Sequence, residues 1–109
     1  MIDTPVQLDY ERFTGLLHEE FAMRLGPEES VEVELIEVNR GPELPGIESF
    51  SLIFRAPADT PVAQRVYELD HPAAGRLEIF LVPVGRQPEG LLFEAAFNRL
   101  RSSNAGGEA

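Results

Sequence analysis

The sequence predicts a mainly β domain, in which an N-terminal helix precedes a strongly bent, five- or six-stranded antiparallel sheet that closes toward a small barrel. Apolar and polar residues alternate with a period of two in several segments after residue 20, as in half-buried antiparallel strands. Nine glycines and nine prolines form no repeat and separate those segments as turn residues do. With 109 residues, 43% of them hydrophobic, the chain can build one core, so residues 1–100 are predicted to form a single domain.

Residues 8–18 carry the signals of a helix start. Asp9 occupies the N-cap position, where a carboxylate accepts a hydrogen bond from one of the first backbone N–H groups. Leu8 and Phe13 flank this cap with the spacing of a hydrophobic staple. One apolar face follows at helical spacing: Tyr10, Phe13 and Leu17. Gly15 weakens the helix interior, so we expect the helix to be short.

The first two strands are expected at residues 21–25 and from Val31 onward, with a Gly-Pro turn between them. In the second strand three apolar residues alternate with glutamates, which places one face of the strand in the core. The alternation slips after Leu35, because Ile36 is apolar and Glu37 takes the inward position. A one-residue slip turns side chains to the other face, so we expect a bulge at this point.

Four further segments with strand periodicity follow, separated by loops expected at residues 39–48, 56–61 and 85–90. Their inward residues are expected to be Phe50, Leu52 and Phe54, then Tyr67 and Leu69, then alternate residues of 77–84, and last Leu91, Phe93, Ala95 and Phe97. Pro83 cannot donate a ladder hydrogen bond, so we expect it at an edge or a bulge.

The last two strands carry a second apolar face that must be covered, made by Phe80, Val82, Leu92 and Ala96. We expect the N-terminal helix to cover it, with a second subunit as the alternative. The final strand, Leu91–Leu100, carries few charges, so an open edge there predicts pairing with another copy and a homo-oligomer. Residues 101–109 are expected to form a flexible tail.

Charge is the most informative bulk property of the chain. Nineteen acidic residues oppose nine arginines and no lysine, which gives a formal net charge of −10. Such a field repels phosphate backbones and anionic lipids, so nucleic acid and membranes are unfavourable partners. Several glutamates fall close together in sequence: Glu28, Glu29, Glu32, Glu34, Glu37, Glu43 and Glu48. We expect a solvated face, with an acidic docking surface for a basic partner as the alternative.

The sequence also bears on the compartment. The absence of cysteine excludes disulfides, thiolate catalysis and Cys-ligated zinc or iron–sulfur sites. No apolar run approaches the ~20 residues that a membrane-spanning helix needs. Residues 1–7 lack the basic and apolar regions of a signal peptide, so we expect a cytoplasmic location.

Several short segments together resemble a family of small, functionally uncharacterised bacterial proteins. The segments are FSLIFR at residues 50–55, QRVY at 64–67, HP at 71–72, FLVPVG at 80–85 and EAAFNR at 94–99. The resemblance spans residues 8–100 and implies no catalytic residue, metal or cofactor. Some relatives lie near genes for phage-tail-like collar proteins, so it also implies a link to a phage-tail-like assembly.

The layout of one helix followed by five or six bent strands is similar to Sm-like and SH3-like barrels. An Sm-like protein binds RNA through an Asp-x-φ-x-Asn loop, where φ is an apolar residue, and through an Arg-Gly pair late in the fold. No Asp-x-φ-x-Asn sequence occurs here, and Arg40-Gly41 falls in the wrong loop. The aromatic and basic candidates for nucleic-acid binding are Phe50, Phe54 and Phe93 with Arg55, Arg65 and Arg99. Because these phenylalanines have core spacing, we expect them to be buried.

Ser51, Asp70 and His71 are the residue types of a catalytic triad. Adjacent residues of a strand point to opposite faces, so Asp70 is poorly placed to orient His71. No Gly-x-Ser-x-Gly nucleophile elbow occurs either. We expect His71 to be a structural residue at a strand end, held extended by Pro72 and hydrogen-bonded to a loop carbonyl. No catalytic residue is predicted.

Two sets of residues have the chemistry of metal ligands: His18, Glu19 and Glu20, and Glu68, Asp70 and His71. The two histidines lack the His-x-x-x-His spacing of a helical zinc site. Glu68 and Asp70 share a strand face, where paired carboxylates can bind calcium or magnesium loosely. We expect an ordinary solvated face at both sets, and no metal or cofactor.

The sequence therefore predicts a non-enzymatic protein-interaction or structural accessory domain. The first alternative is an Sm-like nucleic-acid-binding barrel that lacks the usual RNA-site motifs. The second is a small hydrolase or metal-binding enzyme. The acidic balance opposes the first alternative, and the missing nucleophile and scattered histidines oppose the second.

Overall fold

Six antiparallel strands follow one short helix in the computed structural model, which describes residues 9–42 and 44–100 and, of residues 99 and 100, the backbone alone. In chain order the elements are α1 (Tyr10–Thr14), β1 (Glu20–Gly26), β2 (Glu29–Arg40), β3 (Ile47–Ala56), β4 (Arg65–His71), β5 (Gly75–Gln87) and β6 (Gly90–Leu100). The domain is mainly β, as predicted. The tail expected at residues 101–109 lies outside the described residues. Within the described ranges, no helix has the length and apolar character that crossing a membrane requires.

The six strands form a closed, ring-like sheet. They pair in the order β1-β2-β3-β6-β5-β4, and pairing of β4 with β1 closes the ring. Two three-stranded meanders, β1–β3 and β4–β6, therefore meet along two seams. The β3–β6 seam extends over ten residues of each strand. The β1–β4 seam, all of it within the described residues, is short and consists of Ala22 opposite Asp70 and Met23 opposite Leu69.

Each meander has a long central strand that changes its partner midway. The first half of β2 pairs with β1 and the second half with β3, with a register shift between Leu35 and Glu37. The first half of β5 pairs with β4 and the second half with β6, with a register shift between Pro83 and Gly85. A bulge bends a strand and increases its twist, which allows these long strands to turn around the ring. The bulge predicted after Leu35 is confirmed, and Pro83 lies at a bulge, one of the two positions predicted for it.

The inward-facing residues of the strands form one core, which also includes Phe13 of α1. Every strand contributes alternate residues to it: Phe21, Met23, Val33, Leu35, Phe50, Leu52, Phe54, Tyr67, Leu69, Leu77, Ile79, Leu81, Leu91, Phe93 and Ala95. The inward residues predicted for the last four strands are thus confirmed, with Phe97 half-buried and packed against the core. The phenylalanines considered for nucleic-acid stacking are core residues, as expected.

The helix is shorter than the predicted span of 8–18. Asp9 caps it as predicted, since its side chain accepts a hydrogen bond from the backbone N–H of Arg12 at 2.9 Å. The helix ends at Thr14, because Gly15 forms the C-cap and His18 takes a φ of 73°, outside the helical region.

The helix also covers a different surface from the expected one. The ring of Phe13 lies 5.8 Å from the rings of both Phe50 and Phe97, on the inward side of the sheet. Two backbone hydrogen bonds join residues 18–19 to Leu35 and hold the chain after the helix against β2. The helix therefore closes one end of the core. The prediction that it covers the second apolar face is wrong; that face is Phe80, Val82, Leu92 and Ala96.

The structure differs from two further predictions, which concern the turn between β5 and β6 and the edge of β6. Residues 85–87 belong to β5, so the turn before β6 is shorter than the predicted span of 85–90. The predicted open edge of the final strand is partly closed, because β6 pairs with β3 over Leu91–Leu100 and with β5 over Gly90–Glu94. A homo-oligomer through this strand stays a prediction.

Candidate functional site

The outer surface of β4 and β5 carries an exposed apolar pair. Tyr67 and Ile79 point into the core, so their neighbours Val66 and Phe80 point outward. These two residues lie directly opposite each other across the strands, and 59% of Val66 and 50% of Phe80 is exposed. We define the outer apolar face as Val66, Phe80 and the next two valines of β5, Val82 and Val84. A groove of about 340 Å³ lies beside Val66, between β4 and the turn after β1.

Two carboxylates lie next to this apolar pair on the same side of the sheet. Glu68 is directly opposite Glu78, one outward position further along the two strands. Like charges at such positions repel and destabilise a sheet. The Nε atom of Arg24 lies 3.6 Å from Glu68 and 3.8 Å from Asp70, so the guanidinium partly offsets the first of these charges. In the described part of the chain, the side chain of Glu78 makes no hydrogen bond and no ion pair.

A second acidic group occupies the outer surface of β1 and β2. Glu20 lies opposite Glu34, and a hydrogen bond from its carboxyl to Glu32 raises the pKa of Glu20 above its ordinary value of 4.5. The negative charge of Glu32, slight desolvation and the charge of Glu34 raise this pKa further. Arg55 of β3 offsets Glu34 through an ion pair of 2.6 Å. Acids of β1 and β2 thus extend the negative surface of β4 and β5.

The acidic residues that cluster in the sequence do not share one surface. Glu32 and Glu34 belong to the outer acidic surface, whereas Glu37 accepts a hydrogen bond from the side chain of Asn39. Glu48 accepts one from the backbone N–H of Tyr10, at the helix. The structure instead brings in acids that are distant in sequence, because antiparallel pairing places β4 and β5 beside β1 and β2.

His71 is buried where β4 ends. Its Nε2 atom lies 2.9 Å from a carboxylate oxygen of Glu19, and its Nδ1 atom accepts hydrogen bonds from the backbone N–H groups of Ala73 and Ala74 at 3.0 and 3.1 Å. Since Nδ1 accepts twice, we assign the ring proton to Nε2, which donates to Glu19. The prediction that His71 hydrogen-bonds to a loop carbonyl is wrong, because the turn after Pro72 presents backbone N–H groups, and not carbonyl groups, to the ring. The imidazole packs against Phe21, with the ring centroids 4.8 Å apart and the ring planes tilted by 42°.

The residues considered for catalysis do not come together. Ser51 belongs to β3, and two strands separate β3 from β4 in either direction around the ring. Asp70 points outward toward Arg24, while His71 points inward toward Glu19. His71 thus uses one ring nitrogen to hold the turn after β4 and the other to contact Glu19, and among the described residues no hydroxyl group is paired with it.

The two sets considered for metal binding are also divided. Glu19 pairs with His71, whereas His18 pairs with Glu34 at 3.6 Å and Glu20 with Glu32. Over residues 9–42 and 44–98, no three His, Asp or Glu side chains are grouped as ligands for a metal ion. This arrangement favours charge pairing on the surface over metal chemistry.

The arginines considered for nucleic-acid binding make local contacts. Arg65 lies over the ring of Tyr67, 4.7 Å from the centroid, and donates to the carbonyl of Leu25. Arg55 is paired with Glu34. The side chain of Arg99 lies outside the described residues.

Sequence reasoning missed the most exposed apolar residue of the outer face. It identified Phe80 and Val82 as outward but left out Val66, although the alternation in Arg65–Asp70 contains the signal for it. The opposition of Glu68 and Glu78 depends on the register between β4 and β5, which no local pattern in the sequence specifies.

Comparison with protein families and structures gives one match. A family model described as a domain of unknown function (DUF6916) matches residues 8–97. No curated protein matches the chain, and no solved structure matches it.

Proposed function

The chain belongs to the DUF6916 family, and from its surface we propose that it is a non-enzymatic protein-interaction or structural accessory domain that binds a partner through the outer apolar face. The observation that carries this proposal is the exposed pair of Val66 and Phe80. With Val82 and Val84 the pair makes up an apolar face, and exposed apolar patches mark protein-interaction sites. The expected cover, α1, packs elsewhere.

The geometry of the pair suits protein binding. Both side chains stand on strands whose backbones are held by the β4–β5 ladder, so little conformational freedom is lost when a partner covers them. Interface energy concentrates in a few large apolar or aromatic residues with polar surroundings. Phe80, surrounded by Val66 and carboxylates, has that composition.

The proposal is tested by affinity capture from the native host with the wild-type chain and with Phe80→Ser. Leu44→Ser is the matched control, because Leu44 is 53% exposed but lies in the loop between β2 and β3. We expect a specific protein that is retained by wild type and Leu44→Ser and lost with Phe80→Ser. Equal recovery with all three chains would contradict the proposal. Far-UV circular dichroism checks that each variant is folded.

The alternative of an Sm-like nucleic-acid-binding barrel has some support in the closed ring and its leading helix. In the ring, β3 pairs with β6 and skips both β4 and β5, so the similarity to an Sm-like barrel is limited to the layout of the elements. With a net charge of −10, we predict that single-stranded RNA or DNA binds more weakly than ~10⁻⁴ M at physiological salt. Fluorescence anisotropy with mixed-sequence strands measures this, and micromolar binding that falls steeply with salt would favour the alternative.

A further inference from the structure

We propose that the partner presents a basic segment to the outer apolar face, with an arginine or lysine between Glu68 and Glu78 and an apolar side chain over Val66 and Phe80. This inference rests on the proposed function and specifies the chemistry of the partner. It starts from the two features that adjoin on β4 and β5, the apolar pair and the carboxylate pair.

The opposed carboxylates leave room for a cation from outside the chain. Glu68 shares Arg24 with Asp70, and neither of its contacts with that guanidinium is shorter than 3.6 Å. Glu78, on the facing strand, makes no ion pair within the described ranges. A cation placed between the two would convert their repulsion into two attractions. Covering the site with apolar groups would strengthen those attractions by excluding water.

The charge of the wider surface also favours a positively charged partner. The outward positions of β1, β4, β5 and the half of β2 that pairs with β1 hold two arginines, Arg24 and Arg76, and a larger set of acids: Glu20, Glu32, Glu34, Glu68, Asp70 and Glu78. A basic segment approaching this surface is attracted over its whole length. A second copy of the chain, also at −10, would bring the same acids against each other and is a poorer occupant.

Strand geometry sets the spacing that a partner must match. Val66 and Glu68 are two residues apart on one strand, as are Phe80 and Glu78 on the other, so the apolar and acidic pairs are ~7 Å apart. Alternate residues of an extended segment, or residues one turn apart on a helix, reproduce that distance. The partner segment should therefore carry an apolar and a basic side chain on one face at one of these spacings.

Three fluorescent peptides test this inference, each with an apolar residue and a charged residue two positions apart, so that both side chains lie on one face of an extended segment. They have the same length and apolar residues and carry arginine, its uncharged isostere citrulline, or glutamate. Binding is measured by fluorescence anisotropy at ~0.15 M salt, where exposed charges more than about 8 Å apart are largely screened. We expect the arginine peptide to bind and the glutamate peptide not to bind.

Variants of the full chain locate the interaction. The double variant Glu68→Gln/Glu78→Gln should weaken binding of the arginine peptide by ~10-fold, which corresponds to one lost charge-assisted contact. Glu11→Gln/Glu37→Gln makes the same change in net charge on elements that do not pair with β4 or β5, and should weaken binding less than ~2-fold at this salt. Phe80→Ser, with Val66→Ser as a second apolar variant, should also weaken binding.

The outcomes separate this inference from the proposed function. Suppose that Phe80→Ser weakens binding while the citrulline peptide binds as well as the arginine peptide. The outer apolar face then binds partners as proposed, but the inference that the partner segment is basic is wrong. Equal loss with the two double variants would show bulk charge attraction and overturn the inference. If the arginine peptide does not bind at ~1 mM, or Phe80→Ser has no effect, the inference fails. Sedimentation of the same samples measures whether the chain forms a dimer. If it does, and if Phe80→Ser dissociates that dimer, the occupant of the outer apolar face is a second copy of the chain.

Discussion

At the scale of single residues, His71 shows how a polar side chain can be buried without a catalytic role. Its ring joins three separate parts of the chain: the segment before β1 through Glu19, the core through Phe21, and its own turn through two backbone N–H groups. Buried N–H groups are costly when they lack an acceptor, so the imidazole replaces a backbone carbonyl at this turn.

We predict that His71→Ala destabilises the domain by about 2–4 kcal/mol, because it removes the acceptor of two N–H groups and leaves a gap against Phe21. Urea denaturation followed by circular dichroism measures the loss. Glu19→Gln keeps an oxygen that accepts from Nε2 and should cost less than about 1 kcal/mol. A loss for His71→Ala as small as this control would show that water replaces the ring.

Glu20 makes stability depend on pH in a predictable direction. Its pKa is higher in the folded protein than its ordinary value of 4.5, because Glu32 hydrogen-bonds to its protonated form and repels its charge. Protonated Glu20 therefore stabilises the folded protein. This contribution is complete at pH values below the ordinary pKa and is lost as the pH rises through the pKa of the folded protein. Glu20→Gln should raise the Tm relative to wild type more at pH 7 than at pH 4.

Thermal melts at the two pH values measure this difference. Glu29→Gln, at the start of β2, removes the same charge away from Glu32 and serves as the control. Since the effect includes repulsion between exposed carboxylates, it should shrink in 1 M salt, where the Debye length is ~3 Å. A Tm difference that is the same at both pH values would contradict the assignment of the raised pKa to Glu20.

At the scale of elements, α1 contributes one aromatic ring that closes an end of the core. Phe13 is 2% exposed and contacts Phe50 and Phe97, which themselves stack at 4.7 Å. Phe13→Ala should destabilise the domain by about 3–5 kcal/mol, the usual cost of deleting a buried ring. Arg12→Ala on the exposed side of α1 is the control. Denaturation in urea tests both variants, and a loss below about 1 kcal/mol for Phe13→Ala would show that the ring is dispensable.

The strands were more predictable from sequence than the helix, for a physical reason. Alternation reports burial directly, and its slip after Leu35 located the bulge between Leu35 and Glu37. The helix length depended on the conformation of His18, which follows from the backbone pairing of residues 18–19 with Leu35. That pairing joins distant parts of the chain, and a local pattern carries no information about it.

The candidate site shows the same division. Its members are outward residues, so their exposure follows from the alternation of apolar and polar residues. From that alternation the sequence identified Phe80, but not the residues that lie beside it in the sheet. That Phe80 faces Val66, and Glu78 faces Glu68, depends on the register of β4 and β5. The sequence predicted an unmatched apolar face and assigned it the wrong cover, because nothing local shows on which side of a sheet a preceding helix lies.

At the scale of the whole molecule, the two seams of the ring differ in strength. The β3–β6 seam extends over ten residues of each strand, whereas the β1–β4 seam consists, within the described residues, of Ala22 and Met23 opposite Asp70 and Leu69. We predict that the backbone N–H groups of the short seam exchange with solvent faster than those of the long seam, because local opening needs fewer broken hydrogen bonds there.

Hydrogen exchange followed by NMR measures this difference. Arg24→Gln should increase exchange at the short seam, since Arg24 ties β1 to Glu68 and Asp70 of β4. Exchange at the long seam should not change by the same factor. Uniform protection around the ring would indicate that it opens as one unit.

The ladder between β3 and β6 has a consequence for cutting the chain. Each meander is continuous in sequence, and the loop from residue 57 to 64 is the one covalent link between β3 and β4. A cut in this loop leaves two three-stranded pieces, each with half of the core exposed. Because all six strands share one core, we expect neither piece to be stable alone and the two together to regain the long ladder and that core. The domain is therefore suited to fragment complementation, in which two separately expressed halves fold only when they meet.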